Sequence, residues 1–263
     1  MIRPLAACAL VATVAGALIA AGGTALAQPE TAPVVKPTVL AEVPHDDKAF
    51  TEGLEFDGPA LYEGTGGWGD SELRRVDPAT GAVLRAAPLP HEYFGEGITV
   101  VGDRIWQLTY RDGVAVEWDK ASFTPVRQVP LAGEGWGLCR DGDRLIRSDG
   151  TDLLRFHDTA DLTEIGAVKV TRDGSPLIGL NELECVDGQV WANVWPTDTI
   201  VRIEPITGRV NLVVDASGLW KADTRTNAQV LNGIAHIEGS DFLLTGKDWP
   251  SAFQVRIDTG GAR

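Results

Sequence analysis

The sequence is poor in the residues that build metal and thiol sites. Its 263 residues hold three cysteines and four histidines. His45, His91, His157 and His236 are scattered without ligand-like spacing, which excludes a zinc centre or a Cys–His catalytic pair as a sequence-level reading. Two of the cysteines, Cys139 and Cys185, lie beyond the N-terminal segment. Two are too few for a disulfide framework. Each precedes the glycine of an Asp-Gly turn by three residues. Matching strands of neighbouring repeats diverge beyond the ~7 Å that a disulfide tolerates between Cα atoms, so free thiols are expected. Basic residues are also scarce, 23 against 37 acidic ones for a net charge of −14, and such a chain is a poor nucleic-acid binder. Helical periodicity is missing throughout the body of the chain.

Charge is nearly absent from the first 27 residues, where Arg3 is the only ionised side chain. The Ala/Leu/Val run that follows is broken by Gly22-Gly23-Thr24 and ends at Ala25-Leu26-Ala27. This small-x-small ending reads as a secretory leader over residues 1–27 rather than a membrane anchor. Leu5-Ala6-Ala7-Cys8 precedes any long apolar stretch and is discounted as a lipoprotein box. The expected product is an exported, periplasmic or secreted, single domain of residues 28–263 that begins at Gln28. It has no membrane association after leader removal and is expected to be monomeric.

What the sequence does contain is a repeat. Short apolar segments punctuated by Asp-Gly and Thr-Gly turns open five units, at Glu52-Gly53-Leu54, Glu96-Gly97-Ile98, Trp136-Gly137-Leu138, Glu182-Leu183-Glu184 and Asn232-Gly233-Ile234. A second marker follows each opening, at Asp77, Asp119, Asp158, Glu204 and Asp258. Units of about 40–50 residues with four strands each have the size of propeller blades. The fifth unit lacks a fourth strand, and Thr38 to Val43 at the other end of the chain can supply it. An all-β, five-bladed β-propeller is expected, with four antiparallel strands per blade and closure by the N-terminal strand. Trp106, Trp118 and Trp191 fall within strands and are assigned to packing.

Propeller geometry then gathers residues. First strands line the central channel, and the second strand returns beside each, so first-strand starts and second-strand ends share one face. The starts are Glu52, Glu96, Trp136, Glu182 and Asn232, with Thr51 and Asn181 one residue earlier. The ends are Thr65, Tyr110, Asp149, Trp195 and Lys247. Together they form a bowl of carboxylates and aromatic rings. Such a bowl can hold a cation, bind a partner, or perform acid–base chemistry, and geometry alone leaves these open.

At these positions the chain resembles the plant and bacterial glutaminyl cyclotransferases. The matching segments are Phe50-Thr51-Glu52-Gly53-Leu54, Tyr93 to Thr99, Gly133 to Leu138, Ser148-Asp149-Gly150, Leu180 to Glu184, Ala192 to Trp195, Leu231 to Ala235 and Thr245-Gly246-Lys247. They fall in order through all five units. The resemblance implies closure of N-terminal glutamine of peptides and proteins to pyroglutamate with release of ammonia. It places the essential glutamate at Glu96, polar contacts at Asn181 and Lys247, and an aromatic pocket at Phe50, Trp136 and Trp195. Glu52, Tyr110, Asn232 and Glu182 complete the expected substrate contacts. The family often has glutamine at Glu52 and tryptophan at Tyr110. Glu52 therefore sets a second carboxylate beside the expected base, which raises the pKa of one of the pair.

The implied reaction is intramolecular, so the protein supplies conformation and proton transfer rather than a nucleophile. An acidic chain suits a substrate bearing an α-ammonium, and no metal or other cofactor is called for. Gln28, once exposed, would itself be cyclised. The rival readings are a propeller hydrolase or lyase working through a channel-bound divalent metal, and a non-enzymatic binding module.

Overall fold

The computed structural model describes Met1, residues 31–221 and residues 225–259. The leader over residues 1–27 and Gln28 lie outside the described residues, apart from Met1. Every regular element among the described residues is a strand, as the period-two patterning requires.

The strands form five sheets. Four contain four strands each: Thr51–Asp57 to Val83–Pro88, Gly95–Val101 to Thr124–Pro130, Leu138–Asp141 to Glu164–Lys169, and Leu231–Glu238 to Ser251–Arg256 completed by Thr38–Pro44. Thr38–Pro44 pairs antiparallel with Ser251–Arg256, Glu42 opposite Phe253, and this is the closing strand expected from the sequence. The remaining sheet, Leu180–Val186 to Arg209–Asp215, has seven strands where four were expected. Its outer edge is covered by parallel pairing of Val34–Val35 with Val213 and Val214, and of Thr171 with Arg209. An open edge would offer unpaired amides to another chain, and these additions use them up.

Inner strands pack on one another in sequence, and Leu231–Glu238 returns against Thr51–Asp57 to close the ring. The result is an all-β propeller. Glycine allows the inner strands to come this close. A Cβ on Gly97 would lie 2.5 Å from the carbonyl oxygen of Trp136, and one on Gly137 would lie 2.1 Å from that of Asn181. The Gly97 amide donates to that same Trp136 oxygen at 2.7 Å, so the repeated glycine of the strand openings is a seam between sheets. Between the sheets lie the large apolar side chains. Trp106, Trp118 and Trp191 are all buried in these layers, each contributing on the order of 1.5–3 kcal/mol or more by removal from water.

Cys139 and Cys185 correct the expectation of free thiols. They form a disulfide, with Cα atoms 5.5 Å apart. Divergence of neighbouring sheets applies to their outer strands. These two residues lie on inner strands, just past the narrow seam at Gly137 and Leu183, where the sheets have not yet splayed.

Candidate active site

The openings of the inner strands are irregular in four of the five sheets. The register shifts between Thr51 and Gly53, Gly95 and Ile98, Leu180 and Leu183, and Leu231 and Ile234. Glu52, Glu96, Asn181, Glu182 and Asn232 all lie within these breaks. A bulge frees a residue from the ladder and re-aims its side chain, which is why the polar residues of the repeat converge on the axis.

A cavity of about 560 Å³ opens at this end, lined among others by Phe50, Glu52, Glu96, Tyr110, Trp136, Asn181, Trp195 and Lys247. Eight of the ten residues expected at the site are thus brought together. The other two are not on its wall. Asn232 lies beneath Glu52, donating its Nδ2 to Glu52 Oε2 at 3.0 Å and to the Thr51 carbonyl at 2.9 Å. Glu182 is buried below the cavity floor, where it accepts the amides of Leu54 at 3.3 Å and Ile234 at 2.8 Å. Its bulge turns Asn181 to the cavity instead, and Glu182 satisfies backbone amides of two neighbouring sheets. Two second-strand ends also depart from the expected bowl. Asp149 is held by Arg155 at 2.8 Å, and Thr65 is buried against Glu72.

Sequence reasoning left several wall residues unassigned: Trp68, Phe94, Arg111, Glu134, Asn227 and Ala228. The aromatic ones form one continuous arc. Phe94 contacts Phe50 at 6.1 Å, Trp68 at 5.6 Å and Tyr110 at 6.0 Å between centroids. Tyr110 reaches Trp136 at 6.5 Å, and Trp136 meets Trp195 edge-on at 5.9 Å. Phe94 stood inside a matched segment and was legible there. Trp68 sits in a Gly-rich loop with no pattern to mark it. At the rim, Glu134 accepts from Trp136 Nε1 at 3.0 Å and from Arg111 Nε at 2.8 Å. The Arg111 guanidinium lies 4.4 Å from the Tyr110 ring centre. The buried Arg147 fixes this loop from behind, donating to the carbonyls of Glu134 and Ala132.

The cavity floor is electrostatic. Lys247 Nζ lies 2.6 Å from Glu52 Oε1, both side chains almost wholly buried. The same ammonium sits 4.6 Å from the Phe50 ring centre. Glu96 lines the same cavity beside Glu52. Burial and the neighbouring Glu52 carboxylate push Glu96 well above the usual carboxylate range, partly offset by Lys247. Burial raises Glu52 as well, against the opposing pull of Lys247, Glu96 and Asn232. Asn181 Oδ1 is buried with no hydrogen-bond partner among the described residues, an acceptor left open toward an incoming N–H.

An aromatic-walled cavity with a carboxyl, an ammonium and an open amide acceptor can bind a small polar head group and move protons on it. The family model for glutamine cyclotransferase matches residues 8–257. A glutaminyl-peptide cyclotransferase of Arabidopsis thaliana is 37% identical over 232 residues, which are 86% of this chain and 72% of that protein. The crystal structure of the Myxococcus xanthus glutaminyl cyclase superposes with a TM-score of 0.77 at 35% identity, covering 86% of this chain and 97% of that one. By the extent of the model match and by these two relatives, the chain belongs to the glutamine cyclotransferase family.

Proposed function

We propose that this chain is a glutaminyl-peptide cyclotransferase, an acyltransferase-class enzyme that closes N-terminal glutamine of peptides and proteins to pyroglutamate, with Glu96 as its proton carrier. The observation that carries this reading is the buried Glu96 at the floor of the aromatic-walled cavity, beside Glu52, Lys247 and Asn181. The five sheets act in it as five blades of one propeller, each contributing to the floor or wall of a single site.

The substrate's α-amine attacks its own side-chain amide carbon. A C–N bond forms, the carbonyl π pair moves to oxygen, and the tetrahedral centre then expels the amide nitrogen as ammonia. Glu96 gives a proton to the departing nitrogen and receives one from the ring nitrogen, so it ends as it began. Lys247 Nζ, with two N–H bonds beyond the one used on Glu52, suits the developing oxyanion. Asn181 Oδ1 suits an N–H of the amine or amide. Phe50, Tyr110, Trp136 and Trp195 wall the short side chain and hold it in a closing conformation. Glu182 and Asn232 support the floor from beneath. The same reading has the chain exported and working as a monomer.

The test is ammonia release from a short peptide beginning with glutamine. Wild type should turn over, and Glu96→Gln should lose roughly 10²–10⁴-fold. Full activity in the folded variant would remove Glu96 from the mechanism.

A further inference from the structure

The hydrogen bonds around Glu52 determine where the site keeps its proton. We propose that Glu52 is a positioning residue that fixes the single mobile proton of the site on Glu96, because both Glu52 oxygens are committed to donors. Oε1 faces Lys247 Nζ at 2.6 Å, and Oε2 accepts from Asn232 Nδ2 at 3.0 Å. An ammonium and an amide NH2 donate only. Glu52 is therefore the ionised member, and its negative charge beside the buried Glu96 keeps the proton on Glu96.

The consequence deepens the cyclotransferase reading and rests on it. Glu96 carboxyl, Glu52 carboxylate and Lys247 ammonium together are neutral, so the empty site is loaded as a general acid. It then matches a substrate whose α-amine is already neutral. That amine attacks, Glu96 protonates the departing nitrogen, and the resulting carboxylate takes the proton from the ring nitrogen. Removing the Glu52 charge reverses the loading: Lys247 loses its partner and turns to Glu96, which ionises and must then meet the α-ammonium form. The other titratable groups around the pair are Glu134, bonded to Arg111 on the rim, and Glu182 beneath, and among the described residues none of these bonds the Glu52 oxygens.

The experiment is the pH profile of kcat/KM for wild type, Glu52→Gln and Glu52→Asp. The enzyme's alkaline limb, where Glu96 loses its proton, is expected to move down by about 1–3 pH units in Glu52→Gln, the size of a close charge effect. Glu52→Asp, which keeps the charge, is expected to stay near wild type. An unmoved limb in Glu52→Gln, or an equal shift in both variants, overturns the proposal. Carbon-13 NMR of labelled glutamate carboxyls needs no substrate, and it should show Glu96 titrating lower in Glu52→Gln by the same margin. Absence of ammonia release from wild type at every pH would sink the cyclotransferase reading, while the NMR titration would still decide the placement of the proton.

Discussion

Lys247 and Glu52 are 195 positions apart in the chain and 2.6 Å apart in space. One closes the second strand of the last sheet, and the other opens the inner strand of the first. Their ion pair crosses the junction where the ring closes, with both side chains buried. Removing one partner of such a pair leaves an uncompensated charge, at a cost of about 3–5 kcal/mol. We predict that Lys247→Met lowers the thermal midpoint sharply, and that adding Glu52→Gln recovers much of the loss. A double variant no more stable than Lys247→Met would show that the pair is not coupled. The cycle is read by calorimetry on the four proteins.

The aromatic arc makes a prediction about binding. Trp195 is 46% exposed and touches Trp136 edge-on, so it contributes wall rather than core. Trp195→Ala should cost little stability. It should raise KM for a short glutamine peptide by roughly 2–10-fold, the equivalent of about 0.5–1.5 kcal/mol for an aromatic contact. Steady-state kinetics on the variant checks this, and an unchanged KM would detach Trp195 from the substrate.

Joining Cys139 to Cys185 closes a loop with a sequence separation of 46. A cross-link of that span restricts the unfolded chain by about 4 kcal/mol in the entropic account. Reduction, or the double Cys→Ser variant, is expected to lower the midpoint of chemical unfolding accordingly. Identical midpoints with and without reductant would contradict it.

Below the cavity floor, among the described residues, lie three more acids. Glu55 accepts the Val100 amide at 3.0 Å and Glu184 accepts that of His236 at 3.1 Å, while Glu182 serves Leu54 and Ile234. Burial pushes Glu55 up to about 8, against the bond from the Val100 amide. Burial likewise raises Glu182 and Glu184. A carboxyl raised in the folded state favours folding most below its unfolded value. That advantage is lost as pH climbs from the ordinary 4.5 through about 8 for Glu55. Stability should therefore decline between mildly acidic and mildly alkaline solution, and Glu55→Gln should flatten the decline. Denaturation midpoints across that range provide the test.

Much of this architecture was legible because a propeller repeats itself. Two markers in phase located the inner strands, and the missing fourth strand pointed to Thr38–Pro44 as its replacement. The phase of a repeat gives the start of a strand but not the turn of a bulge. Glu182 occupies the same slot as Glu52, yet Asn181 takes the cavity in its sheet while Glu182 turns to backbone amides. Asp149 looked like a bowl residue until Arg155, six positions on, claimed it. Arg111, Glu134 and Trp68 come from connecting loops, where neighbouring contacts rather than periodicity decide direction. The disulfide was missed for a related reason, since the separation of two sheets changes from the axis outward.

The ring is sealed by an early strand against the last described one, Thr38–Pro44 on Ser251–Arg256. During synthesis Thr38–Pro44 has no partner until Ser251–Arg256 emerges, so its exposed edge must wait while all the sheets between them are made. The pairing joins distant parts of the chain, and such contacts make folding slow. The Glu52–Lys247 contact spans that same join. A chain that stops short of Ser251–Arg256 therefore leaves Thr38–Pro44 without its partner and the ring open.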